Sequence, residues 1–586
     1  MKRICGFFII FLFSFNFLFA KERLSLQPII VKKEKSNLRF LREDLKFHSL
    51  FEVLDILPID LQSRALKGDI QTDFSLRGSN FSSVLILLDG LRINDPQTAH
   101  HNSDLPITKE DLQIIEIIPA TNSSSFGLDA IGGAINFITK KPKEKALVLE
   151  SSYGSFKTKS GIFSFSQKIK DFGLRVSSEV IESDGFQYDT DFKKYTTTFY
   201  SSLDIPDGEF NLNLGYQEKA FGAYDFYTPG LDYPSFEWTK TYLLNTHFIL
   251  NKEAFLIKPN FLWRRHFDKF MLDKTQRRSK YLNHHYTDIY LPCLYLQKET
   301  EFFGRLGLGL EYGKEDIHST NLGKHKRHHK SIFLDNFKAL SPKFFLDLSF
   351  RIDDYDKFIY TGSLNFKYKF SDKNAFCFGL SKNVRIPSFT ELYYNDPVNQ
   401  GNAFLSEEKA INYEIGYHYK KEALSSGVVF FFREEKDMID WVSVISVPPG
   451  KWQVKNIGEA KVKGVENYFK LKINEYLTLD SCYTYVDKDL DEKGFIYKYG
   501  PNYSKHLFNA TLIFNLIFGI QSINLTYKKK PAQKDWFLLN TNFSYKLNKN
   551  TQLFLKITNL LNVKYEEIKG IMQPKRWIEA GLRFSW

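Results

Sequence analysis

The chain has few cysteines, and no long apolar segment follows its first twenty residues. Its four cysteines, Cys5, Cys293, Cys377 and Cys482, lie far apart and have the spacing of neither a metal site nor a disulfide framework. No stretch beyond residue 20 stays apolar long enough for a membrane-spanning helix. These absences disfavour a disulfide scaffold, a zinc-cluster protein and a helical membrane bundle, so we expect backbone hydrogen bonds to hold the fold.

Recognisable catalytic motifs are also missing. The sequence contains no Gly-x-Ser-x-Gly elbow, no His-Glu-x-x-His helix and no other convincing set of nucleophile, base and orienting group. A barrel enzyme such as a lipase or protease is therefore disfavoured. We predict a binding protein that performs no covalent chemistry and holds no resident cofactor.

The amino terminus has the pattern of a secretory signal. A basic start, Lys2-Arg3, precedes an apolar run over residues 7–19 and the small residue Ala20. An uncleaved anchor helix is the alternative, but the run is short for one. We predict that residues 1–20 are removed.

What the sequence has in excess is aromatic side chains and positive charge. Aromatic residues make up 16% of the chain, with 56 Phe and 32 Tyr. Such an excess is typical of barrel walls, where rings form girdles between lipid and water. The formal net charge is +12. In a secreted chain, this charge favours anionic lipid or an anionic ligand over nucleic acid as the partner.

The sequence pattern changes near residue 145. Before it, Asp44–Leu57 has the apolar spacing of a short helix, and Val84–Leu88, Ile114–Ile118 and Ala134–Thr139 have the composition of buried strands. We therefore predict a small α/β domain in this part of the chain.

After Ala146, segments of about ten residues alternate apolar and polar side chains, as barrel strands do when one face meets lipid and the other the lumen. Examples are Gly161–Gln167, Tyr195–Leu203, Glu209–Tyr216, Phe344–Ile352, Ser363–Phe370, Ala510–Leu516 and Thr551–Ile557. We count roughly 22 such segments. The predicted fold is a transmembrane antiparallel β-barrel with the α/β domain in its lumen.

The connections between these segments alternate between short and long. Short ones are Lys170-Asp171, Asn251–Glu253, Ser371–Lys373, Asn474-Glu475 and Leu547–Asn550. Long ones are Gln217–Thr239, Val384–Phe404, Glu434–Lys461 and Asp487–Lys505. Every long loop follows an odd-numbered strand, as expected when all long loops leave one end of a barrel. Both ends of the barrel chain are then predicted at the periplasmic side.

Four stretches of the first domain resemble the plug domain of TonB-dependent receptors, and their order and spacing make the match specific. They are Ser75–Ser79, Val84–Asn94, Ile115–Ile118 and Phe126–Thr139. The barrel adds Arg385–Tyr393, Asn412–Gly416 and Asn559–Tyr565, and the terminal Trp586 resembles the tag read by the outer-membrane assembly machinery. The resemblance covers nearly all of the mature chain and is nearest to a subgroup that includes cobalamin and ferric-siderophore receptors.

This resemblance implies a TonB-box and linker at residues 21–36, an α/β plug domain at 37–145 and a β-barrel at 146–586. It implies location in the outer membrane of a Gram-negative cell, in contact with lipid. The implied partners are a periplasmic TonB-type energy-coupling protein and a small-molecule metal chelate that would itself carry iron or cobalt.

By resemblance, Arg77 should reach a carboxylate on the barrel wall. Glu414 is the matching residue and Glu391 the second candidate; a solvated arginine is the alternative. A bidentate pair across the lumen would latch the plug to the wall. The chain departs from the family where Pro119–Thr121 replaces the usual Arg-Gly-Pro. A second plug arginine is therefore missing there.

The coupling segment is assigned to six residues after the signal. They are Leu26, Gln27, Pro28, Ile29, Ile30 and Val31. An extended apolar segment can add as a strand to the sheet edge of a partner, which is how the energy-coupling protein is thought to grip this family. A disordered tail explains these residues equally well.

Ligand contacts are expected at the outer mouth of the barrel. The candidates are His100 and His101 on the plug loop Asn94–Asn102, and six rings in segment 220–238: Phe221, Tyr224, Phe226, Tyr227, Tyr233 and Trp238. Surface histidines and members of the aromatic girdle are the alternatives. Two adjacent histidines without a third partner do not make a metal site, so we predict none.

The basic segment Lys324–Lys330 is predicted as an outer loop. It would either face solvent and lipopolysaccharide or attract an anionic ferric complex. The three acids Asp184, Asp189 and Asp191 are too few to predict a calcium-binding loop. The predicted function is active uptake of a scarce ligand, a ferric siderophore or other iron complex, with cobalamin as the alternative ligand. A passive porin is the alternative of a different class, and a plug argues against it.

Overall fold

The computed structural model describes residues 38–41, 50–64, 70–142, 145–276, 282–444, 451–490 and 494–586. The predicted signal peptide and the predicted coupling segment lie outside these residues. Within the described ranges, the chain has no helix of the length and apolarity required to cross a membrane.

The first domain has the predicted α/β character. Its helix and strands are β1 (Leu38–Leu41), α1 (Leu50–Leu54), β2 (Asp60–Ser63), β3 (Thr72–Ser75), β4 (Val84–Leu88), β5 (Leu91–Arg92), β6 (Leu112–Pro119) and β7 (Gly133–Thr139). Single 3-10 turns lie at Phe81–Ser83, Ala99–Ser103, Lys109–Asp111, Ala120–Asn122 and Ser124–Phe126. Five strands form one sheet in the order β1-β6-β7-β4-β5, and β2 pairs with β3. We call this domain the plug.

The centre of the plug sheet is fully buried because its strands are apolar on both faces. Every residue of β4 is buried, and so are Ile135 and Phe137 in its parallel neighbour β7. The Gly132-Gly133 pair lets this strand approach the rest of the plug, since a Cβ on Gly132 would lie 2.4 Å from Ser79 Oγ. The buried strands predicted from the sequence are confirmed.

The remaining strands run in chain order to the carboxyl terminus. They are β8 (Ala146–Gly154), β9 (Lys159–Ile169), β10 (Phe172–Ser183), β11 (Phe192–Ile205), β12 (Gly208–Gly222), β13 (Phe236–Lys252), β14 (Phe255–Met271), β15 (Leu282–Thr300), β16 (Gly304–Ser319), β17 (Gly323–Ala339), β18 (Phe344–Asp354), β19 (Phe358–Ser371), β20 (Asn374–Arg385), β21 (Asn399–Gln400), β22 (Glu408–Lys421), β23 (Leu424–Val444), β24 (Trp452–Lys472), β25 (Leu477–Leu490), β26 (Phe495–Tyr497), β27 (His506–Leu516), β28 (Gly519–Lys529), β29 (Trp536–Lys546), β30 (Thr551–Thr558), β31 (Glu566–Ile568), β32 (Ile571–Met572) and β33 (Trp577–Ser585). A short helix, α2 (Phe389–Tyr393), lies between β20 and β21, and a 3-10 turn, Ser155–Lys157, follows β8.

These strands close into an antiparallel barrel. Among the described residues, 22 long strands form its wall, and β21 and β26 add short pairings. The last strand, β33, pairs with the first, β8, so that the wall has no free edge. The alternating segments named above fall inside β9, β11, β12, β18, β19, β27 and β30, which confirms the predicted fold.

Side chains alternate across the wall as lipid and lumen require. On β18, Leu348 and Phe350 are exposed on the outside, whereas Ser349 and Arg351 are buried inside. The plug fills the lumen. One apolar cluster combines plug residues such as Ile115 with wall residues of β13, β14, β15 and β17.

The two ends of the barrel differ in the length of their connections. At the end that we call the turn end, the connections are two to four residues long, as between β9 and β10. At the opposite end, the loop end, connections extend to segments such as 223–235, 386–407 and 559–576. The predicted sorting of long connections to one end is confirmed.

The lengths of two predicted loops were wrong. Most of Glu434–Lys461 belongs to β23 and β24, which have 21 residues each, and Gln217–Thr239 loses both ends to β12 and β13. A strand needs only about 9–11 residues to cross the hydrocarbon layer. Strands this long continue beyond the lipid, where the outer face no longer has to be apolar, so the alternating pattern that identifies a strand fades there.

The basic segment is likewise not a loop, because Lys324–Lys330 lies in β17. Its even-numbered residues are exposed on the outside of the wall, and its odd-numbered residues face inward. Arg327 donates to Glu315 Oε2 at 2.8 Å, and the His325 ring stacks on Tyr393 at 3.5 Å between ring centres. The outward lysines therefore point to the surroundings of the barrel, which fits the lipopolysaccharide-facing interpretation and not a ligand funnel.

Candidate ligand cavity and the plug–wall interface

A cavity of about 520 Å³ opens at the loop end, between the plug and the outer parts of the wall. The plug contributes Asn80–Ser82, Gln97, Thr98, His100 and His101. The wall and its loops contribute side chains from β13, β14, β15 and β23 and from segment 388–399. A molecule in this cavity would touch the plug and the barrel at once.

Half of the predicted ligand contacts line this cavity. His100, His101, Tyr227 and Tyr233 do. The other four are not among its lining residues. Phe221 and Trp238 belong to the extended strands β12 and β13, whereas Tyr224 and Phe226 lie in the connection between these strands. Phe221 and Phe226 are buried in an apolar cluster. Trp238 lies on β13 and donates from Nε1 to Glu218 at 2.8 Å, and Tyr224 donates to Asp232.

The two plug histidines are buried, which corrects the surface-loop alternative. They lie on the 3-10 turn Ala99–Ser103, which Thr98 caps by accepting from the backbone N–H of His100. His100 Nδ1 lies 2.8 Å from Asp73 Oδ1, and its ring stacks on Phe81 at 4.4 Å. Burial lowers the pKa of His100 although Asp73 opposes this shift, so its imidazole is neutral at pH 7. We infer that His100 shapes the cavity floor.

His101 has partners that the sequence did not reveal. Its Nδ1 lies 3.4 Å from Asp104 Oδ2, and its Nε2 lies 3.6 Å from Asp268 Oδ2 and 4.0 Å from Glu237 Oε1. Glu237 and Asp268 lie on the neighbouring strands β13 and β14, more than a hundred residues away in sequence. The expectation that His101 lacks a third polar partner was therefore wrong.

Arg77 contacts the barrel wall through two carboxylates. Its Nη1 lies 3.0 Å from Glu414 Oε1, and its Nη2 lies 3.2 Å from Glu466 Oε1. All three side chains are largely buried, and the guanidinium lies 5.0 Å from the centre of the Phe431 ring. The structure thus brings Arg77 and Glu414 together and adds Glu466, which sequence reasoning missed.

Glu391, the second candidate for Arg77, lies elsewhere. It pairs with Arg385 at 2.9 Å and caps α2, accepting hydrogen bonds from the backbone N–H and the hydroxyl of Ser388. The signature of this role is visible in the sequence, because Ser388 and Glu391 have the spacing of a capping box. The assignment of Glu391 to the latch was therefore wrong.

The unusual segment Pro119–Thr121 also contacts the wall, but through hydrogen bonds of its uncharged groups and not through an ion pair. Thr121 Oγ1 donates to Glu414 Oε1 at 3.0 Å, and Asn365 Nδ2 donates to the Thr121 carbonyl at 2.8 Å. Glu414 therefore binds two separate parts of the plug. Where the family pattern has an arginine, this segment supplies the Thr121 hydroxyl. That hydroxyl binds the same Glu414 carboxylate as Arg77.

Ion pairs between plug and wall extend around the whole interface. Besides those of Arg77, they include Asp60–Lys528 (3.1 Å), Arg92–Glu315 (3.1 Å), Asp95–Arg264 (2.5 Å), Lys109–Glu150 (2.7 Å), Glu110–Arg583 (2.8 Å), Asp111–Arg175 (2.8 Å) and Asp104–Lys219. Alternation within β14 places Arg264, His266 and Asp268 on one face, so the sequence could have indicated that these wall residues face the lumen. It could not have indicated which plug residues they pair with.

Four plug carboxylates, Asp60, Asp95, Asp104 and Glu110, provide a pH test of this interface. Burial alone would raise their pKa, but the facing lysine and arginine side chains outweigh it and hold each pKa below its ordinary value. Such carboxylates stabilise the fold above their unfolded pKa, and the contribution is lost as the pH falls through the folded pKa. We expect the urea resistance of the plug to fall steeply below about pH 4.

Amide hydrogen exchange of the plug in the detergent-solubilised protein measures this loss. The slow exchange of the barrel strands serves as the internal control, since their backbone hydrogen bonds do not depend on these carboxylates. Equal plug protection at about pH 6 and about pH 3 would contradict the importance of the ion pairs.

A closed barrel that carries a folded plug and an outward cavity defines a plugged outer-membrane receptor. Residues 150–560 match the family described as TonB dependent receptor-like, beta-barrel, and residues 44–134 match the TonB-dependent receptor plug domain. The chain belongs to the TonB-dependent receptors of the outer membrane. The family and the fold are those of transporters and receptors and not of enzymes.

Curated relatives have names of two kinds. The iron-regulated outer membrane virulence protein of Vibrio cholerae is 24% identical, over 93% of this chain and 91% of the relative. The vitamin B12 transporter BtuB of Vibrio vulnificus is 23% identical, over 89% of this chain and 87% of the relative. The chain is thus similar to relatives of both kinds.

Solved structures share the fold. The siderophore receptor PirA from Pseudomonas aeruginosa superposes with a TM-score of 0.75 at 15% identity, over 95% of this chain and 100% of PirA. A ferric enterobactin receptor (PfeA) mutant from the same organism gives 0.78 at 14% identity, over 94% and 98% of the two chains. At such low identity the agreement speaks for the architecture alone.

Proposed function

We propose that this receptor takes up a scarce iron complex, a ferric siderophore or a related chelate, and that the energy comes from a TonB-type protein in the periplasm. The observation that carries this proposal is the cavity at the loop end, which plug and barrel side chains line together. A ligand that contacts both parts changes the relative stability of plug positions, as ligand-driven transport requires. A relative named as iron-regulated supports the choice of iron.

The charges around the cavity narrow the class of iron complex. Its lining includes the carboxylates of Glu237, Asp268, Asp396 and Asp440, whereas Lys498 is the one lysine among its described lining residues. The basic segment of β17 faces outward. A neutral or weakly charged chelate therefore fits better than a strongly anionic one. Cobalamin is the second candidate, favoured by the relatives named as vitamin B12 transporters.

A passive pore fits these observations poorly. Plug and wall share an apolar cluster and the network of ion pairs described above. Passage of a ligand through the lumen would therefore require part of the plug to move, and moving it against these contacts needs a source of energy. We assign the transfer of that energy to the segment Leu26–Val31, which would pair as an added strand with the coupling protein.

Growth assays test this function. A strain that lacks the receptor would be supplied with a panel of iron chelates, haem or cobalamin and complemented with the wild-type gene. We expect the wild type to restore growth on one metal complex, and we expect this growth to disappear in a strain without the energy coupler. A receptor that lacks Leu26–Val31 should fail in the same way, because it retains the cavity but not the coupling segment.

The matched control deletes the six residues Lys32–Asn37. It shortens the chain by the same number of residues as the first deletion but keeps the apolar segment Leu26–Val31. This variant should still support growth. Growth that persists without the coupler would favour the passive pore, and full activity of the Leu26–Val31 deletion would disprove the assignment of that segment.

A further inference from the structure

We propose that His101, Glu237 and Asp268 form a binding site for a bare divalent transition-metal ion at the floor of the cavity. Binding of a bare ion at this site would be a function separate from the uptake of a metal chelate. His101 Nε2 lies 3.6 Å from Asp268 Oδ2 and 4.0 Å from Glu237 Oε1, and the three ligand atoms all lie within 4.8 Å of one another. Two donors bound to one ion at about 2.0–2.2 Å are at most about 4.4 Å apart, so small shifts would bring all three onto one ion.

The donor types indicate the class of ion. Calcium and magnesium select sites made of oxygen ligands, whereas an imidazole beside carboxylates suits zinc and its first-row neighbours. His285 offers a fourth donor, because its Nε2 lies 3.9 Å from Asp268 Oδ2. Zn²⁺ is therefore the appropriate probe.

The groups behind these ligands have the arrangement that metal sites require. A histidine that binds a metal through one ring nitrogen usually presents the other nitrogen to a carboxylate. His101 does so, since its Nδ1 faces Asp104 Oδ2 at 3.4 Å. Asp104 is itself held by His266 Nε2 at 2.8 Å and by Lys219. The ring of His101 is thus oriented with Nε2 towards Glu237 and Asp268.

Two buried atoms at the site have no hydrogen-bond partner: Asp268 Oδ1 and His285 Nδ1. Both side chains are more than nine-tenths buried. Leaving such atoms unpaired is costly. Coordination of an ion by both oxygens of Asp268 would satisfy the first.

The charge balance also favours a cation. Within the described parts of the chain, the ion pairs of Glu237 and Asp268 are formed with histidines, and no lysine or arginine lies within pairing distance. A divalent ion would neutralise both carboxylates. The rival explanation is a protonated His101 that balances them without any metal, and the experiment below distinguishes the two.

The position of the site connects it to plug movement. His101 belongs to the plug, whereas Glu237 and Asp268 are diagonal neighbours on β13 and β14, as the pairing Thr239 with Asp268 shows. An ion bound to all three would join plug and wall. Displacement of the plug would remove the nitrogen ligand and release the ion inward.

Titration of the purified full-length receptor in detergent with Zn²⁺ alone tests this site. We expect one saturable equivalent by calorimetry in the wild type. Glu237→Gln and Asp268→Asn, which keep the shape of the side chain but remove its charge, should each weaken binding at least tenfold. Co²⁺ should give visible ligand-field absorption in the wild type that Zn²⁺ displaces.

A second His–carboxylate cluster supplies the matched control. Glu311, His329 and Asp353 offer the same donor types on the inner wall, but Arg351 pairs with Glu311 at 2.5 Å and already balances its charge. Glu311→Gln should leave the Zn²⁺ affinity unchanged. Absence of saturable Zn²⁺ binding to the wild type, or a Zn²⁺ affinity in Glu237→Gln and Asp268→Asn equal to that of the wild type, would overturn the proposal. Because the ion is tested alone, this result is independent of the growth assays.

Discussion

Replacement of Arg77 by alanine is expected to destabilise the seated plug by about 3–5 kcal/mol, the usual cost of removing one partner of a buried ion pair. The reason is that Glu414 and Glu466 would both remain in the interface without their guanidinium, and only 12% and 6% of their side chains are exposed. Thr121 can donate one hydrogen bond to Glu414 but cannot supply charge. The urea concentration that releases the plug, followed by its accessibility to protease, measures the loss.

Two further variants make this result specific. Arg77→Lys keeps the charge but loses the planar fork that reaches two carboxylates, so it should give an intermediate loss. Glu391→Gln is the matched control, because Glu391 pairs with Arg385 and caps α2 without touching Arg77. If Arg77→Ala released its plug at the same urea concentration as the wild type, Arg77 would not be a latch.

The polar nature of the plug–wall interface fits a plug that has to move. Buried ion pairs contribute little net stability because desolvation offsets their attraction, but they fix one arrangement of the groups that form them. When water enters, the separated charges are solvated again. An interface built of apolar side chains alone would lack this compensation and would resist displacement more strongly.

The features predicted correctly from sequence depend on local periodicity. Val84–Leu88 was predicted as a strand with the observed boundaries because an apolar run is bounded by a turn at Asp89-Gly90. The wall strands were found because lipid and lumen impose a period of two. The carboxylate partner Glu414 was found through resemblance, since its distance from Arg77 in the chain carries no local signal.

What could not be predicted depends on contacts between distant segments. His101 was interpreted without its wall partners because Glu237 and Asp268 join it only when the barrel closes around the plug. Trp238 was predicted to contact the ligand as part of a loop. The outer part of β13, where it lies, lacks the alternation of apolar and polar residues that lipid imposes on a strand. Once such a strand leaves the membrane, nothing in its sequence distinguishes it from a loop.

A reversible cross-link between plug and wall should have the largest effect on uptake. A Cβ built on Gly78 of the plug would lie 3.7 Å from Val486 Cβ on β25, close to the mean separation in disulfides of about 3.8 Å. Gly78→Cys combined with Val486→Cys should therefore oxidise to a disulfide. Uptake of the complex identified by the growth assays should then fall to the level seen without the energy coupler, because this part of the plug can no longer leave the wall.

The reduced double variant is the main control. Gly78 has a positive φ of 69°, so any side chain there costs about 1–2 kcal/mol, and this cost is the same before and after oxidation. The single variant Val486→Cys reports the effect of the new thiol alone, because the native Cys482 lies four residues, or about 13 Å, along the same strand and is too far away for a disulfide. Surface binding of the ligand should persist in the oxidised double variant, which separates lost transport from lost recognition.

The decisive measurement is the uptake rate of this double variant when fully oxidised and after reduction. Loss of uptake on oxidation with full recovery on reduction is the result expected if the plug lies inside the barrel and must move to admit the ligand. Undiminished uptake through a receptor whose plug is covalently fixed to β25 would contradict this mechanism.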